Sequence, residues 1–216
     1  MRKVALVTDE YYHIYNRGVE KRTIVEDILD VNRFMQSIAD FNTVEPIGSI
    51  HEKNHLKKVG NGVSKSGKLV EFVAFCLNPN HFHFLLKQVS ERGIEQFMQR
   101  FGSGYTKYFN HRHNRVGSLF QGPFKAIRVV NDEYLLHLSA YINLNNVVHQ
   151  LEPRAEVLHR SSWEEYVGAV SMPFCAKEIV LERFNGASDY KAYATDAIQT
   201  TLEGRMSEKD ASLYSE

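Results

Sequence analysis

Two histidines stand one residue apart in the stretch NPNHFHFLLK, at His81 and His83. Side chains at i and i+2 point to the same face of a β-strand, so the two imidazoles project together. Neutral imidazoles bind divalent cations, and with a third nitrogen or oxygen ligand such a pair leaves positions open for phosphate oxygens. The spacing therefore indicates a metal site. The alternative is a pair of partly exposed strand histidines that hold no ion.

A second group of reactive side chains recurs with helical spacing further along the chain. His137, Tyr141 and Asn145 stand at i, i+4 and i+8, so a helix would present them as one stripe. Tyr141 offers a phenol that can act as a nucleophile, and Asn145 offers a carbonyl oxygen that a packed core does not favour. A metal site next to a phenol predicts phosphodiester chemistry with a tyrosine nucleophile. The alternatives are a core aromatic for Tyr141 and a surface histidine for His137.

The net charge is zero, but the charges are unevenly spread. Residues 1–150 contain 19 Lys and Arg against 14 Asp and Glu, a balance of +5, whereas residues 151–216 contain 7 against 12, a balance of −5. Residues 96–130 include no acidic residue. Their basic residues are Arg100, Lys107, Arg112, Arg115, Lys125 and Arg128. This stretch suits a polyanion, because Lys and Arg near phosphates release condensed counterions; a solvated face is the other interpretation.

Composition narrows the class of protein. Two cysteines, Cys76 and Cys175, exclude a disulfide framework and a Cys-based zinc site. The chain has no apolar run of transmembrane length, and its N-terminal residues turn polar too soon for a signal peptide. We therefore expect a cytoplasmic protein without a membrane partner.

Hydrophobic periodicity predicts the secondary structure that positions these residues. Strands are predicted at YYHIYNRGV, LVEFVAFCLN, HFHFLLKQ and PFKAIRVV, and helices at VNRFMQSIADFN, GIEQFMQRFGSGYTKYFNHR and NDEYLLHLSAYINLNNVV. The order β-α-β-β-α-β-α indicates an α+β fold, a ferredoxin-like split βαβ antiparallel sheet with an added helix that carries Tyr141. Phe82, Phe84 and Leu86 should form the core face of their strand. The His81 and His83 face is expected to be open.

Two domains are predicted, a catalytic domain at 1–150 and a helical C-terminal extension at 151–216. The acidic extension should pack through Trp163, Tyr166, Phe184 and Tyr190. A loop rich in Gly, Ser and Lys is predicted at 48–68.

Four ordered blocks carry a resemblance to a known family. They are YYHIYNRGVEKR, AFCLNPNHFHFLLK, YTKYFNHRHNRVGSLFQGPFK and DEYLLHLSAYINLNNVV, and SSWEEYVG follows them. Together they resemble the tyrosine transposases of the HUH single-strand nuclease superfamily, and within it the REP-associated branch. The resemblance spans about residues 11–170. The chain departs from the family pattern at Asn145, where Gln is frequent, at Asn146, where Pro is frequent, and at Pro123, where Arg is usual.

The resemblance implies a fuller set of site residues. It implies that His81 and His83 bind a divalent metal ion, Mg²⁺ or Mn²⁺, with Asn145 as a third ligand. It also implies that Tyr141 attacks single-stranded DNA near a hairpin of a palindromic repeat and forms a 5′-phosphotyrosine. The residues expected to contact phosphates are Arg17, Arg112, Arg115, Lys125 and Arg128. Monomer and homodimer both stay open.

Two other functions remain compatible with these residues. A single-stranded nucleic-acid-binding module on the same fold would bind without cutting and would stack bases on sheet aromatics such as Tyr12, Tyr15 and Phe75. It would have no reason to keep His81, His83 and Tyr141 together. A metal-dependent phosphodiesterase with water as nucleophile would leave no covalent adduct. Tyr105 and Tyr108, on the apolar stripe of the preceding helix, are expected to be core or base-stacking residues.

Overall fold

A five-stranded antiparallel sheet is the centre of the computed structural model, which describes residues 5–48, 50–51, 67–168 and 174–213, the range 205–213 by its backbone only. Its strands are β1 (Tyr11–Arg17), β2 (Val70–Asn78), β3 (His81–Gln88), β4 (Lys125–Arg128) and β5 (Arg160–Ser161). The spatial order is β4-β1-β3-β2-β5, and every neighbouring pair is antiparallel. The predicted fold class, with its split βαβ order, is confirmed.

Helices connect and cover the strands. They are α1 (Ile28–Asp40), α2 (Gly93–Arg112), α3 (Asp132–Asn143), α4 (Asn145–Val148), α5 (Pro153–Glu156), α6 (Trp163–Tyr166), α7 (Glu178–Leu181) and α8 (Ala187–Leu213). Asn131 caps α3, since its side-chain oxygen accepts the Tyr134 backbone N–H at 2.8 Å. None of the helices within the described ranges is long and apolar enough to cross a membrane.

One face of the sheet forms the larger core, as the alternation in β3 predicts. Phe82, Phe84 and Leu86 are buried there against α1 and α2. Helix α2 lies close to the end of α1 at Gly104, where a Cβ would come within 2.5 Å of the Phe41 ring. A residue larger than glycine at that position would clash with the ring unless the Phe41 side chain or the helix shifted.

The opposite face is also covered, so the expectation of an open His81 and His83 face was wrong. Leu85 on β3 belongs to a second buried cluster that includes Leu138 of α3 and Tyr190 of α8. A bulge in β2 between Phe72 and Ala74 contributes, because it shifts the alternation of the strand and places Val73 and Ala74 together in this second cluster. The end of this face where the histidines lie borders a cavity.

The predicted last helix is broken. Helix α3 ends at Asn143, Leu144 has φ −108° and ψ 26°, and Asn145 begins the short helix α4. Tyr141 and Asn145 therefore do not share one continuous helical stripe. The break turns the buried Asn145 side chain toward the end of β3.

The segment after residue 150 contributes to the same sheet. Cys76 pairs with Ser161 and Leu77 with Arg160, so β5 extends the edge at β2. Its aromatic residues pack as predicted: Tyr166 and Tyr190 are fully buried, and Trp163 and Phe184 lie against them. The domain boundary at 150 stays a prediction. Most of the predicted loop at 48–68 lies outside the described residues.

Arg112 lies in a charged cluster between α1 and α2. Its guanidinium donates to Asp27 at 2.5 Å and to Asp30 at 2.8 Å. The Asp30 side chain is fully buried and also accepts from the Tyr108 hydroxyl at 3.1 Å and contacts His113 Nε2 at 2.8 Å. The charge of Arg112 is thus paired within the fold, and its predicted contact with DNA phosphates stays a prediction.

Replacing Asp30 should destabilise the protein strongly. Asp30→Ala removes the carboxylate from the buried cluster and leaves the Tyr108 hydroxyl and Arg112 without this partner. We expect a loss of about 3 kcal/mol in the free energy of unfolding, measured by urea denaturation. Asp196→Ala, on the exposed side of α8, is the matched control and should stay within about 0.5 kcal/mol of wild type. Equal stability of the two variants would contradict the structural role of Asp30.

Candidate active site

A cavity of about 650 Å³ opens at the end of the sheet where β3 begins. Five of the predicted site residues line it, and they come from four separate segments: Arg17, His81, His83, Lys125 and Tyr141. The fold thus brings together positions that lie more than a hundred residues apart in sequence.

His83 lies between its neighbour on β1 and the predicted nucleophile. Its Nδ1 is 2.8 Å from Nε2 of His13, and both side chains are buried. The rings of His83 and Tyr141 are perpendicular, with centroids 5.7 Å apart. If His83 Nδ1 carries the proton and donates it to His13, then His83 Nε2 is left with a lone pair that can bind a metal ion.

The two ring nitrogens of His81 both face amide oxygens. Nδ1 is 2.6 Å from Oδ1 of Asn80, and Nε2 is 3.1 Å from Oδ1 of Asn145. The Asn80 amide nitrogen donates to the Lys21 carbonyl at 3.3 Å, which holds the Asn80 oxygen toward His81. A neutral imidazole has one N–H, and the shorter contact to Asn80 assigns it to Nδ1.

Burial keeps these imidazoles neutral. It lowers the pKa of His13 and of His81 to about 4, and it lowers the pKa of His83 well below its ordinary value of 6.5. At neutral pH all three rings are therefore in the form that binds metal ions.

The predicted ligand set fits a divalent cation by its chemistry. With the proton on Nδ1, His81 Nε2 and Asn145 Oδ1 present lone pairs 3.1 Å apart, and both atoms are of the kind that binds a divalent cation. The Asn78 amide nitrogen lies within hydrogen-bond distance of both, at 3.0 Å and 2.7 Å. The set contains no carboxylate. Among the described parts of the chain there is no group of three or more His, Cys, Asp or Glu side chains that could hold a metal ion, so the fit depends on the Asn145 amide.

The five basic residues predicted to contact DNA have different surroundings. Arg17 donates to the side chain of Gln121, and the Lys125 ammonium lies 5.8 Å from the Tyr15 ring centroid; both cations line the cavity. Arg128 instead pairs with Glu10 at the far end of β4, at 2.5 Å. Arg115 donates to Asn110 at 2.9 Å and stacks on Phe109, so the structure brings Arg17 and Lys125 into the cavity but not Arg112, Arg115 or Arg128.

Tyr105, Tyr108 and His137 do not line the cavity. Tyr105 is fully buried and donates its hydroxyl to the Ile24 carbonyl at 2.6 Å, so of the two predicted roles, core or base-stacking, it has the core one. The Tyr108 hydroxyl donates to Asp30, and burial raises the pKa of Tyr108 to about 12. His137 is exposed and faces Thr201 of α8 at 3.4 Å.

Several residues of the site were missed from the sequence. Lys21 and His149 line the cavity, and His13, Asn78 and His159 contact or orient the predicted ligands. For His13 a signal existed, since a histidine alternates with aromatic residues in YYHIY just as His81 and His83 do in their strand. For the others no local pattern distinguishes them, because their roles arise from tertiary contacts.

The stability of the protein should fall as the pH is lowered from about 6.5 to 4. Burial lowers the pKa of His159 to about 4, so in this window the unfolded chain binds more protons than the folded one. This single histidine should cost about 2 kcal/mol at pH 5 relative to pH 7. Urea unfolding at both pH values measures the difference, and His159→Asn should reduce it. An identical difference in wild type and variant would contradict the assignment.

Comparison with protein families finds a match for the central part of the chain. Residues 45–145, just under half of the sequence, match the family described as "Transposase IS200 like". The matched range includes His81, His83, Tyr141 and Asn145. The resemblance inferred from the sequence blocks is thereby confirmed, and the chain is transposase-like. No curated protein matches it significantly.

A solved structure with a similar fold is described as a REP-associated tyrosine transposase bound to a REP hairpin. It is 15% identical in sequence, with a TM-score of 0.50, and the match covers 81% of this chain and 88% of the other. At this identity the likeness establishes the fold.

Proposed function

Since the chain is transposase-like and has this cavity, we propose that the protein cuts and rejoins single-stranded DNA near a hairpin, through a covalent bond to Tyr141. The observation that carries the proposal is the meeting of His81, His83 and Tyr141 in one cavity lined by Arg17 and Lys125. A protein that only binds DNA needs the cations but has no use for a phenol beside two neutral imidazoles.

The proposed cleavage is a transesterification. The Tyr141 hydroxyl oxygen attacks the scissile phosphorus, the bond from phosphorus to the 3′-oxygen breaks, and a 5′-phosphotyrosine forms. The phenol proton leaves, and the departing 3′-oxygen takes up a proton. Rejoining reverses the exchange without a nucleotide cofactor, because the number of phosphoester bonds does not change.

His81, His83 and Asn145 would hold a divalent ion such as Mn²⁺ or Mg²⁺, which when bound polarises the scissile phosphate. The chain itself supplies the orientation. His13 holds His83 through the 2.8 Å contact, and Asn80 holds His81 through the 2.6 Å contact. Fixed imidazoles keep their lone pairs pointing to one place, which reduces the cost of ordering the ligands when an ion binds.

The hairpin substrate is proposed from the relative that was solved with a REP hairpin. Arg17, Lys125 and Lys21 around the cavity would bind phosphates on either side of the cleaved bond. Tyr15, stacked on His13 at 4.8 Å, offers an aromatic face near the same wall.

Neutralising the cavity cations should weaken binding to all DNA sequences about equally. Arg17→Gln and Lys125→Gln should each reduce the slope of log K against log [salt] by about 0.7, because each removes about one phosphate contact on a single strand. Fluorescence anisotropy at several salt concentrations measures the slope. Lys191→Gln, on the exposed side of α8, is the matched control and should keep the wild-type slope. Slopes unchanged in all three variants would place the DNA elsewhere.

The proposed function is tested by incubating the protein with labelled hairpin single strands and Mn²⁺ and separating the products on a denaturing gel. The expected product is a protein-linked 5′ DNA end together with a free 3′-hydroxyl fragment. Binding without any cleaved product would favour the non-cleaving module, and cleaved DNA without a protein adduct would favour water as the nucleophile.

A further inference from the structure

The orientation of the Asn145 amide determines what this side chain can do. Its carbonyl oxygen, which can bind a cation, faces His81, while its nitrogen lies 3.5 Å from the Tyr141 carbonyl. A rotation of the amide by 180° would present an N–H donor instead, and an N–H cannot bind a metal ion. The Asn145 side chain is fully buried, so its orientation is set by protein contacts.

Asn78, the last residue of β2, makes the contact that distinguishes the two orientations. Its amide nitrogen donates to Asn145 Oδ1 at 2.7 Å and lies 3.0 Å from His81 Nε2. Asn78 is itself fully buried, which strengthens these hydrogen bonds and makes a mismatch costly.

His159 in turn orients Asn78. Its Nδ1 is 2.8 Å from Asn78 Oδ1, and the Cys76 thiol donates to the same oxygen at 3.7 Å. The backbone explains why His159 reaches this place, since Arg160, the next residue, pairs with Leu77 in the sheet. A proton on His159 Nδ1 therefore fixes the oxygen of Asn78 toward His159 and its nitrogen toward Asn145.

The opposite proton position would reverse the chain of hydrogen bonds. With Nδ1 unprotonated, His159 would accept from the Asn78 amide nitrogen, and the Asn78 oxygen would then face Asn145. Asn145 would have to turn its own nitrogen inward to pair with that oxygen. Only the first arrangement leaves the Asn145 carbonyl oxygen beside His81, because in the second the Asn78 oxygen takes the position 3.0 Å from His81 Nε2.

We propose that Asn78 and His159 are positioning residues that hold the carbonyl oxygen of Asn145 toward His81. The inference rests on the proposed function, in which Asn145 is a metal ligand. It also gives the segment after residue 150 a part in the site, because His159 comes from that segment.

The first test is nuclear magnetic resonance of the metal-free protein labelled with ¹⁵N. Long-range proton–nitrogen correlation spectra report which ring nitrogen of each histidine carries the proton. We expect the proton on Nδ1 in both His159 and His81. A proton on His159 Nε2, with Nδ1 unprotonated, would overturn the proposal, and this readout does not depend on metal binding.

The second test is a double-mutant cycle in which Mn²⁺ affinity is measured by electron paramagnetic resonance. Asn78→Ala should weaken Mn²⁺ binding about 10- to 100-fold. In the Asn145→Asp background the same change should cost less than about threefold, because a carboxylate presents an oxygen in either orientation. An equal loss in both backgrounds would overturn the proposal.

His159 variants separate orientation from folding. His159→Asn keeps an N–H donor close to the position of Nδ1 and should retain Mn²⁺ affinity, whereas His159→Leu should lose it to the same extent as Asn78→Ala. Thermal unfolding shows whether each variant is folded, and equal affinities of folded His159→Asn and His159→Leu would count against the proposal. If the wild-type chain binds no Mn²⁺, the proposed metal function fails, and the tautomer measurement still decides the role of His159.

Discussion

Tyr141→Phe should abolish the covalent DNA adduct and leave the rest of the molecule intact. The substitution removes one oxygen and keeps the ring, which lies across from His83 at a centroid distance of 5.7 Å. Because the hydroxyl is the proposed attacking group, we expect the cleavage rate to fall by more than about 10³-fold. Hairpin binding in a gel-shift assay should be unchanged. The measurement is the protein-linked 5′ end on a denaturing gel.

The matched control is Tyr134→Phe. Tyr134 lies on the same helix about two turns before Tyr141 and is partly buried. The substitution makes the same chemical change on the same helix outside the cavity, so the adduct should form at the wild-type rate. An adduct formed by Tyr141→Phe and lost in Tyr134→Phe would place the nucleophile at the start of α3. Loss of hairpin binding in Tyr141→Phe would instead show that the phenol contributes to recognition.

Residue alternation was sufficient to predict the sheet and the orientation of its central strand. In β3 the aromatic and aliphatic positions Phe82, Phe84 and Leu86 enter the larger core, and His81 and His83 share the other face. Such patterns are local, since side chains two apart on a strand always share a face. The alternation could not show that Leu85 on the histidine face is buried by α3 and α8, because cover depends on elements more than fifty residues later.

Charge was the least predictable property of the site. Arg112 and Lys125 belong to the same acid-free stretch, and nothing in their neighbourhood in sequence distinguishes them. Arg112 meets Asp27 and Asp30, which lie 85 and 82 positions earlier, whereas Lys125 lies on an edge strand beside the cavity. The number of basic residues in a stretch therefore indicates a polyanionic partner. Ion pairs formed in the folded protein determine which of these residues can contact that partner.

Asn145, the third predicted ligand, lies near the phenol as its spacing predicted, but in a different backbone geometry. The spacing from Tyr141 to Asn145 indicated a polar side chain near the phenol, and the Asn145 oxygen does lie 3.1 Å from His81. The assumed geometry was nevertheless wrong, because the helix breaks at Leu144. Helical spacing gives no information on such a break. It also gives none on the contact of Asn145 with Asn78, because Asn78 lies on β2, 67 positions earlier in the chain.

His81→Ala and His83→Ala should each reduce cleavage at least about 100-fold and weaken Mn²⁺ binding in parallel. Each variant removes one of the two neutral imidazoles that the proposal assigns to the ion. His83 is buried and bonded to His13, so we also expect His83→Ala to lose about 1 kcal/mol of folding stability, which urea unfolding measures. Activity is therefore compared at a temperature at which both variants are folded.

His137→Ala is the control for the residue type, at a position on α3. His137 is exposed and contacts Thr201 on α8, away from the cavity, so cleavage and Mn²⁺ affinity should stay at wild-type values. If His81→Ala and His83→Ala cut DNA as fast as His137→Ala does, these imidazoles hold no catalytic ion, and the contacts of His81 and Asn145 with the Asn78 amide are structural. If both lose Mn²⁺ binding but still form the Tyr141 adduct, the ion contributes to affinity and the phenol reacts without it.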